Sequence, residues 1–265
     1  MQESHGFFNI NGSKLEYQRL SPSQGNHTTL VFLHEGLGCL AMWRDFPRKV
    51  AQVTGCNVLT YSRTGYGGSS PCNLPRPLTF MHDEGLSILP QVLDVAEIKR
   101  VVLVGHSDGA SIALINAGGT TDERIKGLIL MAPHVFVEEI TLASIREAKA
   151  AYQSTDLRSR LARYHGGNVD DTFLGWTQAW LDENFECWNI EEFLPKIEIP
   201  TLLLQGGLDN YGTLSQLEKI NKQLPGGTDT FILPDCGHSP FREYPSETLQ
   251  AIADFLEKHH ILKPV

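Results

Sequence analysis

The stretch Val101-Val102-Leu103-Val104-Gly105-His106-Ser107-Asp108-Gly109-Ala110 decides how the rest of this chain is read. Four consecutive apolar residues suit a strand buried on both faces of a sheet. The G-x-S-x-G run that follows could arise by chance in a chain with 24 glycines, so its context carries the weight. Here a strand precedes it and a helix over 107–117 follows, with small residues at Ala110 and Ala113. A serine at such a sharp strand-to-helix turn sits in a strained conformation, its hydroxyl exposed at the top of the sheet. Gly105 and Gly109 are expected where strand and helix pass too closely for a Cβ. Ser107 is therefore the candidate nucleophile.

Working outward, similar short apolar runs recur at 30–33, 57–61, 127–131, 201–204 and 230–233. Helical patterning lies between them at 42–53, 79–95, 213–223 and 246–260. Strands alternating with helices imply βαβ units, hence an α/β protein with a mostly parallel sheet flanked by helices. At the start, residues 7–10 and 15–20 surround Asn11-Gly12, which reads as a β-hairpin. From 134 to 195 the alternation breaks into helical patterning alone, at 137–152 and 170–184. About 60 residues cannot be an ordinary connection. The expected organisation is a core of residues 1–133 and 196–265 with a helical cap inserted over 134–195. Trp176, Trp180 and Trp188 in that insertion require a surface to pack on.

A serine hydroxyl needs a base to become a nucleophile, and the base needs an orienting acid. Both are available at strand ends, where ligands of an α/β sheet collect. Asp209 follows the 201–204 run, and His238 follows the last run in Asp235-Cys236-Gly237-His238. The order Ser107, Asp209, His238 is the one expected when the serine occupies this kind of turn. Asp235 lies on the histidine's own loop, so Asp209 on a separate strand end is the better acid. The oxyanion that forms needs backbone N–H donors. One is expected at Asp108 and the other at Gly36, with Leu37 in reserve.

Composition narrows the partners. Lys plus Arg number 22 against 31 Asp plus Glu, a formal charge of −9 that disfavours nucleic acid. No apolar run is long enough to cross a bilayer, and no signal peptide is visible, so a cytoplasmic protein is expected. The five cysteines are scattered without any C-x-x-C pair, which argues against a disulfide framework or a metal site. Gly65-Tyr66-Gly67-Gly68 lacks nucleotide-binding spacing, so no cofactor is expected. Nothing in the sequence specifies an oligomeric state.

These motifs together resemble the α/β-hydrolase superfamily over nearly the whole chain. Arg63-Thr64-Gly65-Tyr66-Gly67-Gly68-Ser69 is similar to that family's R-x-G-x-G-x-S loop, and Gly237-His238-Ser239-Pro240 with Glu243 and Pro245 to its catalytic-histidine loop. The resemblance implies an eight-stranded sheet and cofactor-free hydrolysis through an acyl-enzyme. Ser107 would be nucleophile, His238 base and acid, and Asp209 orienting acid. A serine at 107 disfavours the dehalogenase and epoxide hydrolase branches, which use aspartate there. Two departures stand out. The usual His-Gly oxyanion loop is here His34-Glu35-Gly36, and Ser62 stands where many members carry Asp.

The expected substrate is a small ester-like molecule, with thioesters, lactones and carbon–carbon bonds open to the same triad, and a ligand receptor as the non-enzymatic alternative. Amino-acid-ester hydrolases of this superfamily also carry Ser-Asp-Gly, with that Asp near the substrate's amine. Asp108 equally suits the first turn of a helix, where the macrodipole favours an acid. Glu35 either adds a second negative charge near the site or pairs with Arg44 or Arg63. The expected pocket residues are Glu35, Leu37, His106, His134, Trp176 and Tyr211. His34 reads as a structural hydrogen-bonding residue.

Overall fold

Eight strands form one sheet in the computed structural model, which describes residues 1–23 and 27–262. The last three residues of the expected core, 263–265, lie outside those described. The strands are β1 (Gln2–Ile10), β2 (Ser13–Ser21), β3 (Thr29–Leu33), β4 (Asn57–Tyr61), β5 (Val101–His106), β6 (Ile125–Met131), β7 (Thr201–Gly206) and β8 (Thr228–Leu233). Their order across the sheet is β1-β2-β4-β3-β5-β6-β7-β8. β1–β2 and β2–β4 are antiparallel, and every other pair is parallel. Asn11 and Gly12, both at positive φ (48° and 82°), turn β1 into β2 as a two-residue hairpin.

The order of connection reverses between β3 and β5: β4 lies on one side of β3 and β5 on the other. Such a reversal opens a crevice at the carboxyl ends of the two strands. The loop 34–38 and the turn 106–109 flank that crevice.

The helices are α1 (Phe46–Thr54), α2 (Phe80–Asp83), α3 (Leu89–Val95), α4 (Asp108–Gly119), α5 (Glu139–Ser154), α6 (Leu157–His165), α7 (Val169–Trp180), α8 (Ser215–Gln223), α9 (Pro240–Glu243) and α10 (Pro245–Lys258). Alternate strand residues feed two cores. Val31, Leu33, Leu103 and Leu128 pack with residues of α3, α4 and α8; Leu30, Phe32, Val102 and Ile129 pack with residues of α1 and α10. Burial on both faces is why the strands read as unbroken apolar runs.

Two expected helices are interrupted. The 42–53 helix splits at Arg44 (φ 55°, ψ −128°) into a 3-10 turn, Leu40–Trp43, and α1, which opens with Pro47 in its first turn. The 79–95 helix contains a π turn, Glu84–Ile88, one residue ahead of Pro90. Proline has no N–H to donate back along the helix, and the wider turn absorbs the mismatch. The Leu89 N–H bonds Glu84, and the freed Gly85 carbonyl accepts from Asn116 Nδ2 at 2.7 Å.

Between β6 and β7 lie α5, α6 and α7; the sequence periodicity missed α6. The helix expected over 170–184 stops at Trp180 and is followed by a 3-10 turn, Glu183–Phe185. Trp180 and Trp188 find their surface in Phe185, which in turn stacks with Phe80 of the core. α7 is fastened to the loop after β4: Thr172 Oγ1 donates to the Gly65 carbonyl (2.7 Å) and Asn168 Nδ2 to that of Ser69 (2.7 Å).

Candidate active site

Ser107 caps the start of α4 at φ 53° and ψ −120°, a backbone conformation unfavourable for any residue with a side chain. Its N–H donates to the Met131 carbonyl (2.9 Å) and its carbonyl accepts from Ala110 N–H (2.8 Å), so bonds on both sides hold the strain. The flanking glycines are sterically required. A Cβ at Gly105 would lie 2.5 Å from Ala110 Cα, and one at Gly109 only 2.0 Å from the Leu33 carbonyl oxygen. The turn is thus pressed against the end of β3, bringing the 34–38 loop beside Ser107.

His238 and Asp209 meet by the same device. A Cβ at Gly206 would lie 2.0 Å from the Gly237 carbonyl oxygen, and one at Gly207 2.5 Å from that of Pro234. The loops after β7 and β8 can therefore touch backbone to backbone, and His238 Nδ1 reaches both carboxylate oxygens of Asp209, at 2.9 and 2.8 Å. Burial would push the Asp209 carboxyl up. The hydrogen bond and charge of His238, with the Tyr211 N–H, outweigh burial and hold it below its usual value. Asp235 is exposed and plays no part in this contact.

A cavity of about 110 Å³ is lined by Glu35, Gly36, Leu37, His106, Ser107, Trp176, Tyr211, His238 and Ser239. Seven of the expected site residues other than Asp209 and Asp108 thus face one space with Ser107. His134 is the exception: it is buried and does not line this cavity, its ring 5.8 Å from that of His238 and 5.5 Å from Trp180. Burial pushes the His134 imidazole down to about 3, so it is neutral.

The expected acidic pair also separates. Asp108 does not line the cavity; it is 1% exposed, one oxygen accepting from Trp180 Nε1 at 3.2 Å and the other unpaired. Burial pushes its carboxyl up despite Arg63 nearby. Glu35 does line the cavity, its side chain 16% exposed. Its carboxylate pairs with neither Arg44 nor Arg63 but faces His106 Nδ1 at 3.4 Å. Arg63 Nη2 donates instead to the Glu35 carbonyl, at 3.0 Å. Burial opposes ionisation of Glu35, yet the His106 interaction prevails and holds the carboxyl down at about 2. His34 bridges the same loop: its Nε2 accepts from the Arg63 N–H (3.1 Å) and its Nδ1 lies 2.8 Å from the Glu35 carbonyl.

Two supports brace the site; Gln205 was not singled out from sequence, whereas Glu243 was, with the His238 loop. Gln205 Nε2 donates to Asp209 Oδ2 (2.8 Å) and to the Gly212 carbonyl (3.1 Å), bracing the acid's loop. Glu243 accepts from the Gly237 and Ser239 N–H groups (2.7 and 3.0 Å), clamping the His238 loop from both sides. A polar residue ending an apolar strand before Gly-Gly was the available signal for Gln205. Among the described residues, no group of three His, Cys, Asp or Glu is placed to hold a metal. Nor is any helix among them long and apolar enough to cross a membrane.

A mostly parallel sheet carrying a serine on a strained strand-to-helix turn is the architecture of a hydrolase fold. The model of the Alpha/beta hydrolase family matches residues 30–251, and the chain belongs to that family. It is 22% identical to a proline iminopeptidase of Lactobacillus crispatus, over 92% of this chain and 94% of that one. It is 24% identical to the sn-1-specific diacylglycerol lipase ABHD11 of Danio rerio, over 88% of this chain and 80% of that one. In structure it is similar to the esterase EaEST from Exiguobacterium antarcticum, with a TM-score of 0.76 and 18% identity over 95% and 98% of the two chains. The protein is a hydrolase.

Proposed function

We propose that the protein cleaves small carboxylic esters through an acyl-enzyme intermediate. The observation that carries this reading is the arrangement at one cavity: strained Ser107 opens onto the space lined by His238, whose Nδ1 is held by both oxygens of Asp209. With Nδ1–H committed to Asp209, His238 Nε2 is free to take the Ser107 proton as Oγ attacks the ester carbonyl. The oxyanion is received by the backbone N–H groups of Gly36 and Asp108; the latter begins α4 and has no acceptor within the helix. His238 then protonates the leaving alcohol, and water repeats the sequence to release the acid. The segment 134–195 acts as a cap, with Trp176 of α7 closing the cavity.

The volume of about 110 Å³ suits a short acyl group. With the Asp108 carboxyl buried and bonded to Trp180, and the Glu35 carboxylate facing His106, the site suits a neutral acyl group rather than an α-ammonium one. The five cysteines are free, which fits a reducing compartment such as the cytoplasm.

The test is a panel of p-nitrophenyl esters of increasing acyl length, with thioester, lactone, diketone and aminoacyl p-nitroanilide substrates alongside. Short esters should turn over fastest, with an initial burst, and an α-amino ester should gain nothing over its des-amino analogue. Ser107→Ala should be inert. Equal rates in Ser107→Ala would overturn the assignment, and preferred cleavage of the anilide would make the protein a peptidase.

A further inference from the structure

We infer that Glu35 and His106 form a second carboxylate–imidazole pair, which keeps the oxyanion loop and the His238 loop in register with the nucleophile turn. This rests on the reading of Ser107 as nucleophile and His238 as base. Three loops converge on the cavity: 34–38 after β3, 106–109 after β5 and 234–239 after β8. Glu35 belongs to the first and His106 to the second, and the two face each other at 3.4 Å. On its other side, His106 Nε2 donates to the backbone carbonyl of His238, in the third, at 2.7 Å. One buried ring therefore touches all three.

The arrangement is built rather than incidental. The His106 ring is 1% exposed and sits against Trp43 and Phe241, with centroids 6.3 and 5.3 Å away. Gly38 leaves room for the carboxylate: a Cβ there would lie 2.3 Å from Glu35 Oε2. Nε2 is committed as a donor to the His238 carbonyl, and Nδ1 faces the Glu35 carboxylate at 3.4 Å. The ring is then a strut, bonded to the His238 carbonyl at one end and set against the Glu35 carboxylate at the other. His238 is anchored twice, its imidazole by Asp209 and its backbone by His106. Glu35 and His106 are positioning residues. Their contribution is alignment of groups that must stand within a fraction of an ångström of one another when the serine attacks.

The experiment follows labelling of Ser107 by a fluorophosphonate, read by intact mass. It needs no knowledge of the natural substrate. Glu35→Ala and His106→Asn should each slow the maximal labelling rate by about ten- to a hundredfold, with the half-saturating reagent concentration unchanged. The double variant should be no slower than the slower single one, because both act through one strut. Glu35→Gln, which keeps the side chain's size and a polar group opposite Nδ1, should recover most of the rate. Rates within about twofold of the starting protein, or single effects that multiply in the double variant, would overturn the inference. Should His106→Asn fail to fold, the Glu35→Ala and Glu35→Gln pair decides alone, and equal rates in those two would also overturn it. If the protein is not labelled at Ser107 at all, or Ser107→Ala takes up label equally, the nucleophile reading fails and takes this inference with it.

Discussion

His238 Nδ1 stands 2.8 Å from Asp209 Oδ2 and 2.9 Å from Oδ1, so one imidazole edge faces the whole carboxylate. The carboxylate is saturated on its far side by Gln205 and by the N–H groups of Tyr211 and Gly212. It can neither rotate away nor take a proton without breaking several bonds. Asp209→Asn keeps the shape but presents an amide to Nδ1, favouring the tautomer that cannot serve as base. Turnover of a short ester should fall by about four orders of magnitude with little change in KM. Steady-state kinetics on the purified variant checks this.

The strain at Ser107 gives a stability prediction of opposite sign. Glycine adopts φ 53°, ψ −120° freely, whereas alanine does not. Ser107→Gly should therefore be more stable than Ser107→Ala by about 1–3 kcal/mol, although both are inactive. Thermal unfolding of the two variants side by side measures the difference. Equal midpoints would mean that the turn stores no strain.

Buried His134 makes the fold sensitive to acid. Its folded-state value is pushed down to about 3 by burial and by neighbouring His238, against an ordinary value of 6.5. Between those limits the unfolded chain binds the proton and the folded chain does not. Stability contributed by the neutral ring is complete above pH 6.5 and is lost as pH falls toward 3. His134→Gln should therefore lose less stability between pH 7 and pH 5 than the starting protein does. Urea unfolding midpoints at the two values test it.

Trp176 sets the size of the cavity. Gly36 has no side chain where the Trp176 indole passes: a Cβ there would lie 2.3 Å from Nε1. Trp176→Leu removes one wall of a space of only about 110 Å³. The preferred acyl chain should lengthen by several carbons, with hexanoyl esters gaining about tenfold or more relative to acetyl. An unchanged chain-length profile would place the acyl group elsewhere.

Much of this was legible in the chain itself. The apolar runs announce a sheet buried on both faces, since only such strands lack polar alternation. Gly105 and Gly109 mark a close backbone approach, because only glycine fits where a Cβ would meet a carbonyl at 2.0–2.5 Å; the same role of Gly206 and Gly207 emerged only from the structure. Ser107, Asp209 and His238 follow from their places at strand ends. These signals are local, so sequence alone carries them.

What the sequence could not decide are relations between distant segments. Helix periodicity runs through Arg44 and Pro90 without showing that the chain turns at one and widens at the other. Asp108 and Glu35 look equivalent as acids near the site. Only packing buries one against the Trp180 indole N–H, where burial pushes its carboxyl up, and turns the other to His106, which holds its carboxyl down. His134 lies at a strand end like Asp209 and His238, yet it is buried against Trp180 and does not line the cavity. Side-chain burial and partner choice depend on which surfaces meet, and that is a property of the folded sheet and the helices laid across it.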